Sequence, residues 1–278
     1  MERRRISSTS LRVPRTAPRP TPPPLVADAS AVFLDIDGTL LHLASTPDGV
    51  HVDSVVVALL PALARRLQGA LALITGRTLA DADRLFPGLS LPAAGQHGLE
   101  RRAANGSVHT HPAPLDLGPL RGELATFARR HPGLLFEDKG STFALHYRLA
   151  PRLASHVHRV VRSRVASAGG AAFRLQPGKA MVDIGPKGRT KGTAIQEYMT
   201  EPPFCGRMPV FVGDDRSDEN GFAAVRVMGG WGVKVGSGPT VASYRLRDVA
   251  AVRHWLGAAI GAASQATYQT TRDFIRDA

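Results

Sequence analysis

One apolar run that closes on two carboxylates constrains this chain more than any other feature. Ala31-Val32-Phe33-Leu34 leads directly into Asp35-Ile36-Asp37-Gly38-Thr39-Leu40. An apolar stretch of that length, bounded by glycine and polar residues, reads as a buried strand. In open α/β sheets ligands gather beyond the carboxyl ends of the strands, so Asp35 and Asp37 leave this strand where chemistry is usually done. Two carboxylates this close repel each other, and a bound cation relieves that repulsion. Gly38 permits a tight turn, and Thr39 places a hydroxyl beside the pair.

Three more signals follow in order. Leu71-Ala72-Leu73-Ile74 closes on Thr75-Gly76-Arg77; Lys191 stands in Arg189-Thr190-Lys191-Gly192, just ahead of a helical stretch; Val210-Phe211-Val212 closes on Gly213-Asp214-Asp215-Arg216-Ser217-Asp218-Glu219. Taken singly, Thr75 is an ordinary strand-end residue and Lys191 an ordinary solvated charge. Together, three strand ends deliver carboxylates and a hydroxyl, with an ammonium nearby. That set suits magnesium-assisted phosphoryl transfer, because carboxylates hold a hard cation while positive groups stabilise the phosphoryl charge.

These motifs resemble those of the haloacid dehalogenase-like phosphatases, and more finely the trehalose-phosphate phosphatases. The finer resemblance rests on GQHGLERR at 95–102, EDKGSTFALHYR at 137–148, GKAMVDIGPKGRTKG at 178–192 and FVGDDRSDENGF at 211–222, and it spans roughly residues 30–257. Asp183 stands where the resemblance leads one to expect a glutamate, Ser217 where a threonine is more usual, and Asn220-Gly221 where an acidic pair is. The resemblance implies a doubly wound parallel α/β core (Rossmann-like) with an inserted α+β cap domain. It implies hydrolysis of trehalose 6-phosphate, in trehalose biosynthesis, with Mg2+ as cofactor. Asp35 is then the nucleophile that forms an aspartyl-phosphate. Asp37 is the acid and base, and its backbone carbonyl joins Asp35 and Asp214 around magnesium. Asp218 orients a metal-bound water or lies just behind the ligands, Thr75 hydrogen-bonds the phosphoryl oxygens, and Lys191 neutralises them. Sugar contacts are expected from Gly76 and Arg77 at the strand end, from Glu137, Lys139, His146, Lys179 and Asp183 in the cap, and from His97 and Arg101 on the hinge side. By its place in a strand, His146 could equally face solvent. Sucrose 6-phosphate or another sugar phosphate would use the same chemistry.

The 278 residues suffice for a substantial core, and a hydrophobic content of 43% is ordinary for a globular chain. No apolar run approaches the ~20 residues of a membrane helix, which fits a cytoplasmic enzyme with no membrane partner. A single cysteine, Cys205, excludes an internal disulfide framework and a cysteine zinc cluster, and packing is its expected role. The net charge is +12, and the six arginines of residues 1–30 against Glu2 and Asp28 leave +8 for the body. A basic body suits an anionic small-molecule substrate. It would also suit a nucleic acid, but there is no zinc-finger spacing or Walker loop, and aromatic content is only 6%, which disfavours that partner. A monomer is expected.

Organisation follows composition. Residues 1–28 read as a disordered basic tail, extended at Thr21-Pro22-Pro23-Pro24, and 263–278 as a polar tail. The core is expected to occupy 29–100 and 186–262, with helices near 53–67, 78–86, 191–199, 218–227 and 249–260. Pro61 should kink or break the first of these. Between Thr75 and Lys191 lie more than a hundred residues, far beyond one crossover. The cap is expected at 101–185, with strands near 134–137, 142–147, 173–176 and 181–184 and helices near 117–130 and 151–168.

Overall fold

The computed structural model of the chain describes residues 21–26, 28–44, 46, 49–111 and 117–261. The polar C-terminal segment and most of the basic N-terminal one lie outside the described residues. In chain order the strands are β1 (Ser30–Leu34), β2 (Leu71–Ile74), β3 (Ala93–Gly95), β4 (Glu100–Arg102), β5 (Val108–Thr110), β6 (Leu135–Asp138), β7 (Phe143–His146), β8 (Phe173–Gly178), β9 (Met181–Pro186), β10 (Met208–Gly213), β11 (Trp231–Val235) and β12 (Tyr244–Leu246). The helices are α1 (Ser54–Arg66), α2 (Leu79–Leu85), α3 (Gly118–Arg129), α4 (Ala154–Ser167), α5 (Lys191–Tyr198), α6 (Glu219–Val227) and α7 (residues 249–261).

The apolar runs become central strands because both of their faces are covered. Every residue of β1, β2 and β11 is buried, the signature of a parallel sheet between helical layers. Eight strands form one sheet in the order β12-β11-β10-β1-β2-β3-β4-β5, and the first six of that order run parallel. From the centre, β1 to β3 step one way and β10 to β12 the other. The order therefore reverses between β1 and β10, which is the switch point where doubly wound sheets bind ligands. Right-handed crossovers then put α1 and α6 on opposite faces. Arg253 on α7 pairs with Asp53 at the start of α1 at 2.5 Å, so α7 lies on the α1 side.

Asp53 caps α1 by accepting from the Val56 N–H. The expected break at Pro61 does not occur, and α1 runs unbroken through it. Proline leaves the carbonyl four residues earlier without its helical donor. That carbonyl belongs to Val57, on the exposed face of the helix, so the lost bond falls on the solvent side and not in the core.

The expected division at residue 101 is displaced. β4 and β5 form a hairpin that pairs antiparallel onto β3, so residues 100–110 extend the core sheet. The inserted unit starts after this hairpin. It is a four-stranded antiparallel sheet in the order β6-β7-β9-β8. Its apolar layer joins Phe143, Leu145, Val182 and Ile184 to Leu120, Leu124 and Ala128 of α3 and Val157, Val161 and Val165 of α4. Because side chains alternate along strands, the other face carries the polar set. Glu137 pairs with Ala144, which pairs with Asp183, which pairs with Gln176; one step along, Leu135, His146, Met181 and Gly178 form the next row.

Two smaller expectations are also corrected. The basic tail was expected to lack structure up to residue 28, yet Leu25 is buried in the core and the Pro23 carbonyl accepts from the Trp255 indole at 3.1 Å. Cys205 is exposed rather than packed.

Candidate active site

β1 and β10 end side by side, with Asp35 N–H donating to the Val212 carbonyl at 3.0 Å. Their next residues, Asp35 and Asp214, are both buried, and with Asp218 they bring carboxylate oxygens within 4.8 Å of one another. Lys191, the first residue of α5, holds this cluster. Its Nζ donates at 2.6 Å to Asp35 Oδ1 and at 2.6 Å to Asp218 Oδ1. The other Asp35 oxygen accepts from the Thr39 hydroxyl at 3.2 Å.

The electrostatics follow from burial. Burial pushes the Asp35 carboxyl well above its ordinary value; Lys191 opposes the shift, and Asp218 and Asp214 add to it. Burial, then the Asp218 charge, pushes Asp214 up to about 6 against the pull of Lys179 and Lys191. For Lys191 burial works to lower the ammonium, but Asp218 and Asp35 outweigh it and raise it, so it stays charged. A divalent cation would relieve the crowding of carboxylates, and the donor set of hard oxygens fits magnesium. A cation already sits on this edge: the Lys179 ammonium, reaching down from the β8–β9 turn, pairs with Asp214 Oδ2. Asp218 differs from the other two. Its Oδ2 accepts from the backbone N–H groups of Asp214 at 2.8 Å and Asp215 at 2.7 Å, and Lys191 takes its Oδ1. With both oxygens engaged, Asp218 fits behind the ligands rather than among them. Asp215 caps the short turn at 216–218.

Asp37 stands on the adjacent wall, gripped by Arg77 through a two-pronged pair at 2.7 and 2.8 Å. The Thr75 hydroxyl oxygen accepts from the Arg77 N–H at 3.1 Å and leaves its O–H to donate. Gly38 makes this arrangement sterically feasible. Its φ is +80°, and a Cβ there would overlap the Asp214 carboxylate. Gly38→Ala is therefore expected to displace Asp214 and lower kcat at least ~100-fold, a fall that steady-state kinetics with any accepted phosphate ester would read.

A cleft opens above the cluster, with the polar face of the inserted sheet as its roof. Asp35, Asp37, Gly76, Arg77, His97, Lys191 and Asp214 line it from the core, and Glu137, Lys139, His146, Lys179 and Asp183 line it from the roof. His146 faces the cleft, not solvent, with its Nε2 2.7 Å from Glu137 Oε2. Burial would raise Glu137, but the His146 hydrogen bond and the Lys139 charge outweigh it and hold the carboxyl below its ordinary value. Lys139 crosses to the core and donates to the Gly76 carbonyl at 2.9 Å. Asp183 lines the cleft with its carboxylate already engaged by Lys139 at 3.3 Å and Arg174 at 2.9 Å. Burial alone would raise it, yet Lys139, His97 and Arg174 bring it down to about 2. His97, 3.6 Å from Asp183, is held well below its ordinary value by burial, reinforced by Arg174, Lys191 and Lys139.

Arg101 is not part of this site. Its guanidinium pairs with Glu201 and Glu197 and stacks 4.2 Å above the Tyr198 ring, at the far end of α5. The β4–β5 hairpin turns it away from the hinge side where it was expected. Residues that the motifs did not single out complete the surroundings. Leu43, Val50 and Met181 give the cleft apolar walls, and Arg148 and Gln176 add polar ones. Lys234 lies buried within β11 and donates to the Asp214 carbonyl from behind. A lysine inside the otherwise apolar Trp231–Val235 run was the signal for it.

A family model of trehalose-phosphatases matches residues 33–250. The chain belongs to the trehalose-phosphatase family. It is similar to the trehalose-6-phosphate phosphatase of Escherichia coli, with 42% identity over 241 residues, covering 85% of this chain and 88% of that one. It is also 42% identical over 222 residues to a probable trehalose-phosphate phosphatase of Sinorhizobium fredii, covering 80% and 83%. Among solved structures, the C-terminal domain of the trehalose-6-phosphate phosphatase of C. albicans superposes with a TM-score of 0.75 at 19% identity, covering 84% of this chain and 93% of that one. At that identity the likeness bears on the fold, and it agrees with the parallel core described above. This trehalose-phosphatase family member keeps its acidic cluster at the switch point, the place the fold reserves for ligands.

Proposed function

We propose that this chain hydrolyses trehalose 6-phosphate to trehalose and inorganic phosphate. The observation that carries the proposal is the buried Asp35–Lys191–Asp214 cluster lying beneath a roof of sugar-compatible polar groups. In this reading Asp35 attacks phosphorus in line, a P–O bond forms to its carboxylate, and the bond to the sugar oxygen breaks. Asp37 gives its proton to the departing oxygen and later takes one from the water that cleaves the aspartyl-phosphate. Arg77 engages both Asp37 oxygens, so in this reading the pair opens as substrate binds and leaves one Asp37 oxygen free to exchange the proton. Lys191 and the Thr75 hydroxyl face the phosphoryl oxygens. Asp35 and Asp214 would hold magnesium, which when bound supplies charge neutralisation at the phosphoryl group. Asp218 holds Lys191 and the Asp214 backbone in place for it.

The inserted sheet acts as the cap. Glu137, His146, Lys139 and Lys179 pair with sugar hydroxyls, so that a substrate lacking them leaves buried polar groups unpaired. Lys179 is half exposed and is free to exchange Asp214 for a substrate oxygen once a cation takes its place. Asp183 is assigned a supporting role, since its partners lie within the protein.

The test is selectivity. Glu137→Gln and Lys179→Ala should lower kcat/KM for trehalose 6-phosphate ~10- to 100-fold while changing that for p-nitrophenyl phosphate about twofold or less. Equal losses on both esters would remove the cap from specificity. Glucose 6-phosphate and sucrose 6-phosphate belong in the same assay. Preference for either over trehalose 6-phosphate would keep the chemistry and reassign the sugar.

A further inference from the structure

Arg174 lies on β8, outside the cleft lining and outside the motifs that carry the family resemblance. Its guanidinium nevertheless reaches Asp183 Oδ1 at 2.9 Å, although the two residues are not register partners: Arg174 pairs with Gly185, and Asp183 with Gln176. The reach passes over a bare glycine, where a Cβ at Gly185 would stand 3.3 Å from Arg174 Nη2.

The contact matters because of what else holds Asp183. Asp183 as a residue is only 2% exposed, so its charge needs partners. The other two lie at 3.3 Å (Lys139 Nζ) and 3.6 Å (His97 Nε2). Both exceed the ~2.7–2.9 Å of a good charge-assisted hydrogen bond, and only Arg174 reaches it. Arg174 therefore sets the carboxylate's orientation, and the carboxylate in turn steadies Lys139 between the Gly76 carbonyl at 2.9 Å and Glu137 at 3.8 Å. Two cations, Lys139 and Arg174, balance two anions, Asp183 and Glu137. Removing Arg174 leaves an unbalanced buried anion beside Lys139, which links the inserted sheet to the Gly76 carbonyl of the core.

We infer that Arg174 is a positioning residue for the sugar end of the cleft: through Asp183 it fixes the Lys139 ammonium and so sets affinity for a sugar phosphate over a small phosphate ester. This rests on the proposed function, since it assigns Lys139 to the sugar. A carboxylate one methylene longer at position 183 would close the gap to Lys139 without help. Arg174 and the short side chain of Asp183 thus act as one unit.

The experiment uses the full chain with magnesium and compares Arg174→Met, Asp183→Glu and the double variant, following KM and kcat on trehalose 6-phosphate and p-nitrophenyl phosphate. Arg174→Met should raise KM for the sugar phosphate about tenfold, with kcat and the aryl phosphate reaction within about twofold of the parent. The double variant should recover most of that loss. A double variant as poor as Arg174→Met, or equal losses on both esters, would overturn the inference. If Arg174→Met does not fold, Arg174→Lys keeps the charge and loses the fork; it should show the same KM rise in smaller measure and the same recovery with Asp183→Glu, and no rise would overturn the inference. Should the parent chain cleave the aryl ester but not trehalose 6-phosphate, the substrate reading falls by itself. The cycle is then judged on whichever sugar phosphate the chain accepts.

Discussion

With Asp35 as the proposed nucleophile, Asp35→Asn is expected to abolish turnover, with kcat falling on the order of 10⁴-fold or more, while the chain keeps its fold and its melting temperature. The amide has the shape of the carboxylate but cannot attack phosphorus. Stability is kept for a separate reason. Burial disfavours the Asp35 charge, as its raised carboxyl shows, and Asp218 remains to pair with Lys191. Replacing a disfavoured charge by a neutral isostere relieves the site. Phosphate release beside a thermal melt checks both halves, and measurable turnover by the variant would remove Asp35 as nucleophile.

Lys191→Met has the opposite profile, because it removes the one cation paired at 2.6 Å with two buried carboxylates. Breaking a buried pair by deleting one partner destabilises by about 3–5 kcal/mol, and activity is lost with it. The effect depends on pH in a defined direction. In the parent, Lys191 is raised in the folded chain, so its contribution is fully present below the ordinary lysine value of 10.5 and is constant through the neutral range. In the variant, Asp35 and Asp214, already raised, rise further because Lys191 no longer pulls them down. A carboxyl raised on folding binds its proton more tightly in the native state, so stability falls as pH rises through that range. The variant should regain melting temperature as pH is lowered from neutral toward the ordinary carboxyl value of 3.8, relative to the parent at each pH. A deficit that did not change with pH would mean that Lys191 acts through packing instead of charge.

The site's floor was legible in sequence because its signal is local. A carboxylate that directly follows an apolar strand stands at the strand's carboxyl end wherever the strand is placed, and this holds for Asp35 and Asp214. Lys191 was legible by its position ahead of a helix, and Thr190 does cap α5. The roof was legible only through the resemblance: alternation separated His146 from Leu145 but left open which of them faced solvent, and the packing of Phe143, Leu145, Val182 and Ile184 on α3 and α4 is what turns His146 and Asp183 to the cleft. What failed lacked such a pattern. β4 and β5 are three residues each, too short to show a period, so the hairpin was assigned to the insert and Arg101 to the hinge. The true partners of Arg101, Glu197 and Glu201, lie about a hundred residues away in the chain. Arg174 and Lys234 escaped for a related reason. Arg174 acts on Asp183 of β9 and Lys234 on Asp214 just after β10, and nothing within their own strands marks those partners.

The account is tested most directly by inorganic phosphate release from trehalose 6-phosphate by the purified chain, with magnesium and with excess EDTA. It predicts rapid release that EDTA stops and added magnesium restores, with free trehalose formed in equal amount. No release in the presence of magnesium, from a chain that still cleaves p-nitrophenyl phosphate, would contradict it.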